Sequence, residues 1–288
     1  MKKEKALVIL GQTATGKSAL AVNLARKFNG EVISADSRQV YKGLDIGTGK
    51  ITKKEMKGVQ HYLLDVANPK KKFTVAEYQK KAIYAMAEIV KKGKVPIVCG
   101  GTGFYIDAIT KGIVFPDVPP NIKLRKLLDK KSLPELFKLL KKLDTVRAKN
   151  IDVKNKVRLI RAIEITTALG KVPKTKEVLP PYEFIKIGLH LPADQLNKKV
   201  EQRVKKMFQQ GLLNEIKKLK KQKISDKRLR ELGFEYYKPT LEKVISETIK
   251  YSKRQMTWFK RDKKIKWFSP SESKKIEMYI KKSLKKSL

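Results

Sequence analysis

Cysteine is all but missing from this chain. Cys99 is the single one among 288 residues, so a disulfide framework is excluded, and with it a cysteine-based zinc cluster. Histidine is nearly as scarce. His61 and His190 have no cysteine or histidine neighbours that would suggest a metal site or a triad, which leaves both as structural or surface residues. No stretch approaches the roughly 20 apolar residues of a membrane span. The opening "MKKEKALVIL" has the basic start and apolar run of a signal peptide, but the run leads into a glycine-rich loop where a cleavage site would stand. A cytoplasmic protein with no membrane partner is expected. Acid is the remaining shortage: 28 Asp and Glu face 68 Lys and Arg, a formal net charge of +40. Such an excess suits a polyanionic partner. Yet 57 of those cations are lysines and only 11 arginines, a skew that an AT-rich genome also produces. Charge supports non-specific affinity without naming a target.

What is present is an alternation of element types. With 41% apolar residues the chain can bury a real core, as one large domain or a core plus a smaller one. Strands are expected at Ala6 to Leu10, Glu31 to Ala35, Val95 to Cys99, Phe184 to Leu191 and Ile265 to Phe268. Helical patterns at Ser18 to Phe28 and Val75 to Lys91 separate the first three, the second opened by a Thr74/Glu77 capping box. Alternating strands and helices predict an α/β fold with a parallel sheet. Between the proline pairs Pro119-Pro120 and Pro180-Pro181 the pattern turns wholly helical, as in "LRKLLDKKSLPELFKLLKKL". A catalytic core over 1–118 and 183–288, with an all-helical insertion over 119–182, is the expected organisation. Long helices are expected over roughly 193–221 and 240–261, and the tail "KKSLKKSL" reads as a frayed basic end.

The chemistry begins in "LVILGQTATGKSAL", a G-x-x-x-x-G-K-S loop between a strand and a helix. Gly11 and Gly16 bracket Thr13, Ala14 and Thr15, and backbone amides from Thr13 to Ser18 are expected to face phosphate oxygens. Lys17 supplies a point charge, and the Ser18 hydroxyl can ligate Mg²⁺. Asp36 follows the next strand and can serve as metal ligand, as general base, or as cap of its own turn. After the strand "VPIVC" come Gly100, Gly101, Thr102 and Gly103, with none of the acid that many P-loop ATPases place there. Cys99 reads as packing. In "YSKRQMTWFKR", Tyr251 and Trp258 interleave with Lys253, Arg254, Lys260 and Arg261, which also describes an ordinary amphipathic helix with a solvated face. In "VRLIRAIEI", Arg158 and Arg161 share a helix face, as a phosphate clamp or as partners of acids such as Glu164.

In this order, "GQTATGKS", "SADSRQVYKGLDIGTGK", "HYLLDV", "GGTGFYI", "RLIRAIEI" and "KRQMTWF" resemble the tRNA dimethylallyltransferases, also called tRNA isopentenyltransferases, over nearly the whole chain. The second block is the most specific. "LGFEYY" departs from the family's usual I-G-Y-K-E pattern, and the short insertion without a cysteine/histidine finger fits the bacterial type. The resemblance implies transfer of a dimethylallyl group from dimethylallyl diphosphate to the N6 amine of the adenosine just 3′ of the tRNA anticodon. The loop Gly11–Ser18 would then hold the diphosphate, with Mg²⁺ on Ser18 and Arg254 beside it, and Asp36 would act as general base with Thr102 orienting. The resemblance places Asp36, Ser37, Arg38, Gln39 and Thr102 on the target nucleotide and its neighbours. It places Arg125, Val157, Arg158, Leu159, Ile160 and Arg161 on the anticodon stem-loop, and a monomer is expected. Rival readings are a small-molecule kinase, an enzyme prenylating free adenine nucleotide, and a non-catalytic RNA-binding protein. The first needs an arginine-bearing lid and a base pocket that the sequence does not display. The second has less use for the insertion and the basic surface, and the third leaves the P-loop with Asp36 and Thr102 unexplained.

Overall fold

Alternation along one strand sets up the architecture. In β1 (Glu4–Gly11), Ala6, Val8 and Leu10 join the core on one face of the sheet, while Leu7 and Ile9 join the core on the other. Successive side chains point to opposite faces, so a strand buried on both sides reads as an unbroken apolar run. The computed structural model describes residues 3–173 and 176–285. From β1 the chain runs through α1 (Lys17–Lys27), β2 (Gly30–Ser34), α2 (Lys53–Met56), β3 (His61–Tyr62), α3 (Val75–Lys91), β4 (Val95–Cys99) and α4 (Gly103–Thr110). A second compact unit, Ile113–Val178, holds β5 (Ile113–Val114), α5 (Ile122–Asp129), α6 (Leu133–Leu143), α7 (Thr145–Lys149), α8 (Lys156–Leu169) and β6 (Lys176–Glu177). The first unit resumes at Leu179 with β7 (Tyr182–Leu189), α9 (Ala193–Gln209), α10 (Leu212–Lys221) and α11 (Asp226–Leu232). It closes with α12 (Leu241–Phe259), β8 (Lys266–Phe268) and α13 (Ser273–Lys285).

Six strands form one parallel sheet in the order β3-β2-β4-β1-β7-β8. On one face lie Leu24 and Ala25 of α1 with Ile276 and Ile280 of α13. On the other lie Tyr78, Met86 and Ile89 of α3 and Ile106 and Ile109 of α4. This is the expected α/β sheet flanked by helices. Among the described residues, no helix is long and apolar enough to cross a membrane.

The expected elements return with small shifts at their ends. The helix Val75–Lys91 has the expected bounds, and its Thr74/Glu77 capping box is formed. The expected helix over 193–221 is two helices, because Gly211 takes a φ of 97° between α9 and α10, a backbone conformation that glycine adopts without strain. β3, α11 and α13 lie outside the expected elements; two residues carry no periodicity, and α13 sets Ile276, Tyr279, Ile280 and Leu284 against the core from within a lysine-rich run. The tail expected as a frayed end continues α13 as far as Lys285, and its last three residues lie outside the described ones. Helices make the body of the second unit, whose limits fall a few residues before the expected bounds of 119 and 182. A two-residue antiparallel pair, β5 with β6, joins its two ends, too short to leave a pattern in the sequence.

The second unit is organised around one carboxylate. Glu164, 2% exposed on α8, accepts from Arg125 Nε (2.8 Å) and Nη2 (2.6 Å), from the Asn121 amide (2.7 Å), and from Arg161. Arg161 also donates to the Val118 carbonyl at 2.9 Å. Burial alone would raise the Glu164 pKa, but the bonds from both arginines outweigh it and hold the carboxyl below the usual carboxylate range. Glu164→Ala leaves two guanidiniums side by side without their counter-charge. Each arginine side chain is about a third exposed, so the expected loss is roughly 2–3 kcal/mol, below that of a fully buried pair. Hydrogen exchange on the whole chain should then show α8 amides about 30- to 150-fold less protected; unchanged protection would remove Glu164 as the organising group.

Candidate active site

The register of the sheet brings three loops to one level. Cys99 lies opposite Ile9 on one side and Ser34 on the other, so the chain leaves β1, β2 and β4 side by side. The carboxyl ends of strands in an open α/β sheet border the ligand crevice. Here they border a cavity of about 470 Å³, lined in the P-loop by Thr13, Ala14, Gly16, Lys17 and Ser18. Ala14 at φ 61° and Gly16 at φ 86° curl the loop around that space. The Lys17 ammonium donates to the Gln12 carbonyl at 2.5 Å. Burial pushes its pKa down to about 8, and Arg203 adds to the effect. Gly11 and Thr15 work from behind: Gly11 pairs with Leu189 in the sheet, and the buried Thr15 hydroxyl donates to the Gln12 carbonyl. One expected phosphate donor is engaged elsewhere. The Thr13 amide donates to Gln255 Oε1 at 2.8 Å, because α12 crosses directly above the loop. Cys99, on the cavity wall, has its thiol pushed up to about 12 by burial and stays protonated, in keeping with a packing role.

Asp36 caps its own turn and faces the cavity as well. Its Oδ1 accepts from the amides of Arg38 (2.9 Å) and Gln39 (3.3 Å), capping the turn after β2. Its other oxygen has no hydrogen-bond partner among the described residues, and the residue lines the cavity. The turn therefore fixes one oxygen and leaves the second for a ligand. Thr102 stands at the start of α4 but does not cap it. Its hydroxyl oxygen instead accepts from the Ser37 amide at 3.0 Å, next to Asp36. Gln255 completes the floor, with Nε2 donating to the Gly101 carbonyl at 2.9 Å. A Cβ on Gly101 would stand 2.2 Å from that Nε2, so the missing side chain is what lets the bridge form.

The structure relocates the arginine expected beside the diphosphate. Arg254 is exposed, with its guanidinium 5.9 Å from the Tyr251 ring, and does not line the cavity. Its position on α12 turns it outward while Tyr251 and Gln255 turn inward. Two arginines line the cavity, Arg38 after β2 and Arg203 of α9, and Arg203 Nη2 donates to the Thr48 carbonyl at 2.9 Å and packs against Gly49. Burial works against its charge, and Asp36 and Glu235 support it. Sequence reasoning missed Arg203, Gln255 and Glu235. The one available signal was that an arginine is uncommon in this lysine-dominated chain. Glu235 lines the cavity too, and burial pushes its carboxyl up to about 7 against the pull of Arg38.

Ser37, Arg38 and Gln39 line the cavity beside Asp36. The residues expected on the stem-loop separate by helix face. Val157 (77% exposed) and Arg158 point to solvent. Leu159 is fully buried, so its side chain is not free to meet RNA, and Ile160 is half-buried against the core of the unit. Arg125 and Arg161 bind Glu164, so the clamp of Arg158 with Arg161 is not formed. Ser18 exposes its hydroxyl to the cavity, and among the described residues no group of three or more His, Cys, Asp or Glu could hold a metal.

Comparison with known proteins agrees with this geometry. The profile of the IPP transferase family matches residues 39–262. The tRNA dimethylallyltransferase of Halothermothrix orenii is 40% identical over 96% of this chain and 91% of its own length. That of Anoxybacillus flavithermus is 37% identical over 96% and 94%. The solved tRNA isopentenylpyrophosphate transferase of Bacillus halodurans gives a TM-score of 0.74 at 33% identity, covering 99% of this chain and 98% of that one. A eukaryotic dimethylallyltransferase, solved in snapshots of its action on tRNA, gives 0.82 at 26% identity over 98% of this chain and 77% of its own. At such identity over nearly its full length, the chain belongs to the IPP transferase family, the tRNA dimethylallyltransferases.

Proposed function

We propose that the protein transfers a dimethylallyl group from dimethylallyl diphosphate to the N6 amine of the adenosine 3′-adjacent to the tRNA anticodon, releasing diphosphate. The observation that carries this reading is the pairing of a P-loop with the open oxygen of Asp36 in one cavity, where no acid follows β4. Allylic transfer needs a leaving group stabilised and an amine relieved of a proton, and it needs no hydrolytic water. The N6 nitrogen attacks the allylic carbon, the carbon–oxygen bond breaks, and its electron pair leaves with the diphosphate. The amine proton passes to the open oxygen of Asp36. Lys17, Arg203 and the P-loop amides beyond Thr13 meet the charge that develops on the diphosphate. Val204, Met207 and Phe234 offer an apolar wall for the five-carbon chain. Thr102 orients the turn bearing Asp36 through Ser37. The adenosine lies in a loop, so extruding it into the cavity costs only a few kcal/mol.

The donor set fits Mg²⁺. A single hydroxyl, Ser18, faces the cavity at the start of α1, and Mg²⁺ is commonly held by few protein ligands together with substrate phosphates and waters. When bound, the ion would neutralise part of the diphosphate charge. The insertion would meet the anticodon stem-loop through Val157 and Arg158, and the lysine-rich surface would contact phosphates that position the RNA. The reading takes the protein to work as a cytoplasmic monomer.

The direct test incubates the protein with unmodified tRNA, Mg²⁺ and dimethylallyl diphosphate, followed by mass spectrometry of the digested nucleosides. ATP without the prenyl donor, and AMP as acceptor, run in parallel. Prenylated adenosine from tRNA alone is expected; ATP consumption without it would favour a kinase. Asp36→Ala should lower turnover about 10²- to 10⁴-fold, the usual contribution of a positioned base, and full turnover would rule Asp36 out. Arg203→Ala should raise KM for dimethylallyl diphosphate at least tenfold, whereas Arg254→Ala should weaken only tRNA binding, the more so at low salt. Equal effects on the prenyl substrate would return Arg254 to the cavity. Binding of the diphosphate favours protonated Lys17, whose pKa is about 8 in the free protein. Affinity measured by calorimetry should therefore be full below about pH 8 and fall as pH rises beyond it, by up to about tenfold per unit. A flat profile from pH 7 to 10 would contradict this.

A further inference from the structure

The turn after α11 and the loop after β2 bring together two charged groups to which the transfer reaction assigns no chemical step. Arg38 Nη1 is fully buried and has no hydrogen-bond partner among the described residues. The Glu235 carboxylate lines the cavity beside it. Both converge on Gly233, where a Cβ would stand 2.3 Å from Arg38 Nη1 and 2.4 Å from Glu235 Oε2. Any side chain at 233 would displace one or both, so the glycine keeps open the space between them, which neither a hydrogen bond nor an ion pair spans in the structure. A buried guanidinium nitrogen left without an acceptor is destabilising, and a carboxylate is the acceptor its planar fork fits best. Glu235 is poorly placed to serve RNA directly, since its charge would repel phosphates.

We propose that Glu235 is a positioning residue for Arg38: when the nucleotide that Asp36 acts on enters the cavity, the carboxylate closes on the free Nη1 and holds the guanidinium against it. This rests on the proposed function, and it gives the "LGFEYY" turn a role. Glu235 faces Arg38 and Asp36 from the loop after β2 and Arg203 from α9, while Tyr236 beside it bonds Glu215 of α10. Burial, partly offset by Arg38 and Arg203, pushes the carboxyl up to about 7. The contact is therefore complete above about pH 7 and fades as pH falls through it.

The test measures kcat/KM for an anticodon stem-loop RNA between pH 6 and 9 for the wild type, Glu235→Gln, Arg38→Ala and the double variant. Glu235→Gln should lower kcat/KM for the RNA about tenfold at pH 8 and little at pH 6, removing the fall that the wild type shows below about pH 7. Affinity for dimethylallyl diphosphate should not weaken, because the change removes a negative charge near it. On an Arg38→Ala background, Glu235→Gln should have no further effect. A wild-type pH profile in Glu235→Gln, additive losses in the double variant, or weaker prenyl-diphosphate binding would each overturn the proposal. A wild type that makes no prenylated RNA would count against the function and not against this contact, which has its own readout. The midpoint of the ¹³C-labelled Glu235 carboxyl should rise in Arg38→Ala, and an unmoved midpoint would overturn the positioning role without any turnover.

Discussion

The carboxylate of Glu215 holds the active site together. Buried on α10, it accepts the amides of Asp45 (2.9 Å), Ile46 (2.7 Å) and Gly47 (3.0 Å) and the hydroxyl of Tyr236 (2.9 Å). Bonds to a charged acceptor are worth more than neutral ones, and a buried carboxylate with four donors has its charge well compensated. Everything on one side of the cavity hangs from this group. The loop it grips presents the Thr48 carbonyl to Arg203, and the tyrosine it grips fixes the turn that carries Glu235. Lys50 secures the same loop from outside by bridging Asp45 and Asp65 at 2.6 Å each. The strand ends supply the opposite side, with Gln255 tying the P-loop to the loop after β4.

Arginine in this chain marks places where geometry matters. Lysine supplies bulk charge, whereas the planar fork of arginine bonds in two directions at once. Arg125 and Arg161 share Glu164, Arg203 pins Thr48, and Arg228 donates to the carbonyls of Pro69 and Lys71 at 2.7 Å each. The expectation that Arg125 and Arg161 meet RNA runs into this preference. A carboxylate 2% exposed needs counter-charges more than a solvated phosphate does, and Glu164 claims both. The lysines, mostly exposed, remain available for a diffuse electrostatic footprint on RNA.

Much of the fold could be read directly. Strands buried on both faces left apolar runs, helix Val75–Lys91 announced itself through its cap, and the P-loop stood between strand and helix as its chemistry requires. Asp36, Lys17 and Ser18 were legible for the same reason: each lies next to the strand end or helix start that positions it. What escaped was chemistry contributed from far along the chain. Arg203, Glu235 and Gln255 reach the cavity from α9, the turn after α11, and α12, and no local spacing relates them to residues 13 to 39. Arg254 and Gln255 are sequence neighbours, yet one faces solvent and the other the floor of the site, a difference set by the helical turn and by what packs against it.

The sequence by itself determined the class of fold, the anion-binding loop, the carboxylate after the second strand, and the family, because each is written in contiguous residues whose local conformation follows from short-range sterics and hydrogen bonding. Only the tertiary structure decided which arginine enters the cavity, which oxygen of Asp36 is free, and which insertion residues are buried. It also decided that Arg38 and Glu235 converge on Gly233. The place of Arg203 in the cavity and the approach of Arg38 to Glu235 depend on segments more than a hundred residues apart, the Asp36 oxygen on its own turn and the insertion on contacts inside that unit; in each, burial and competition among acceptors assign the charge its partner.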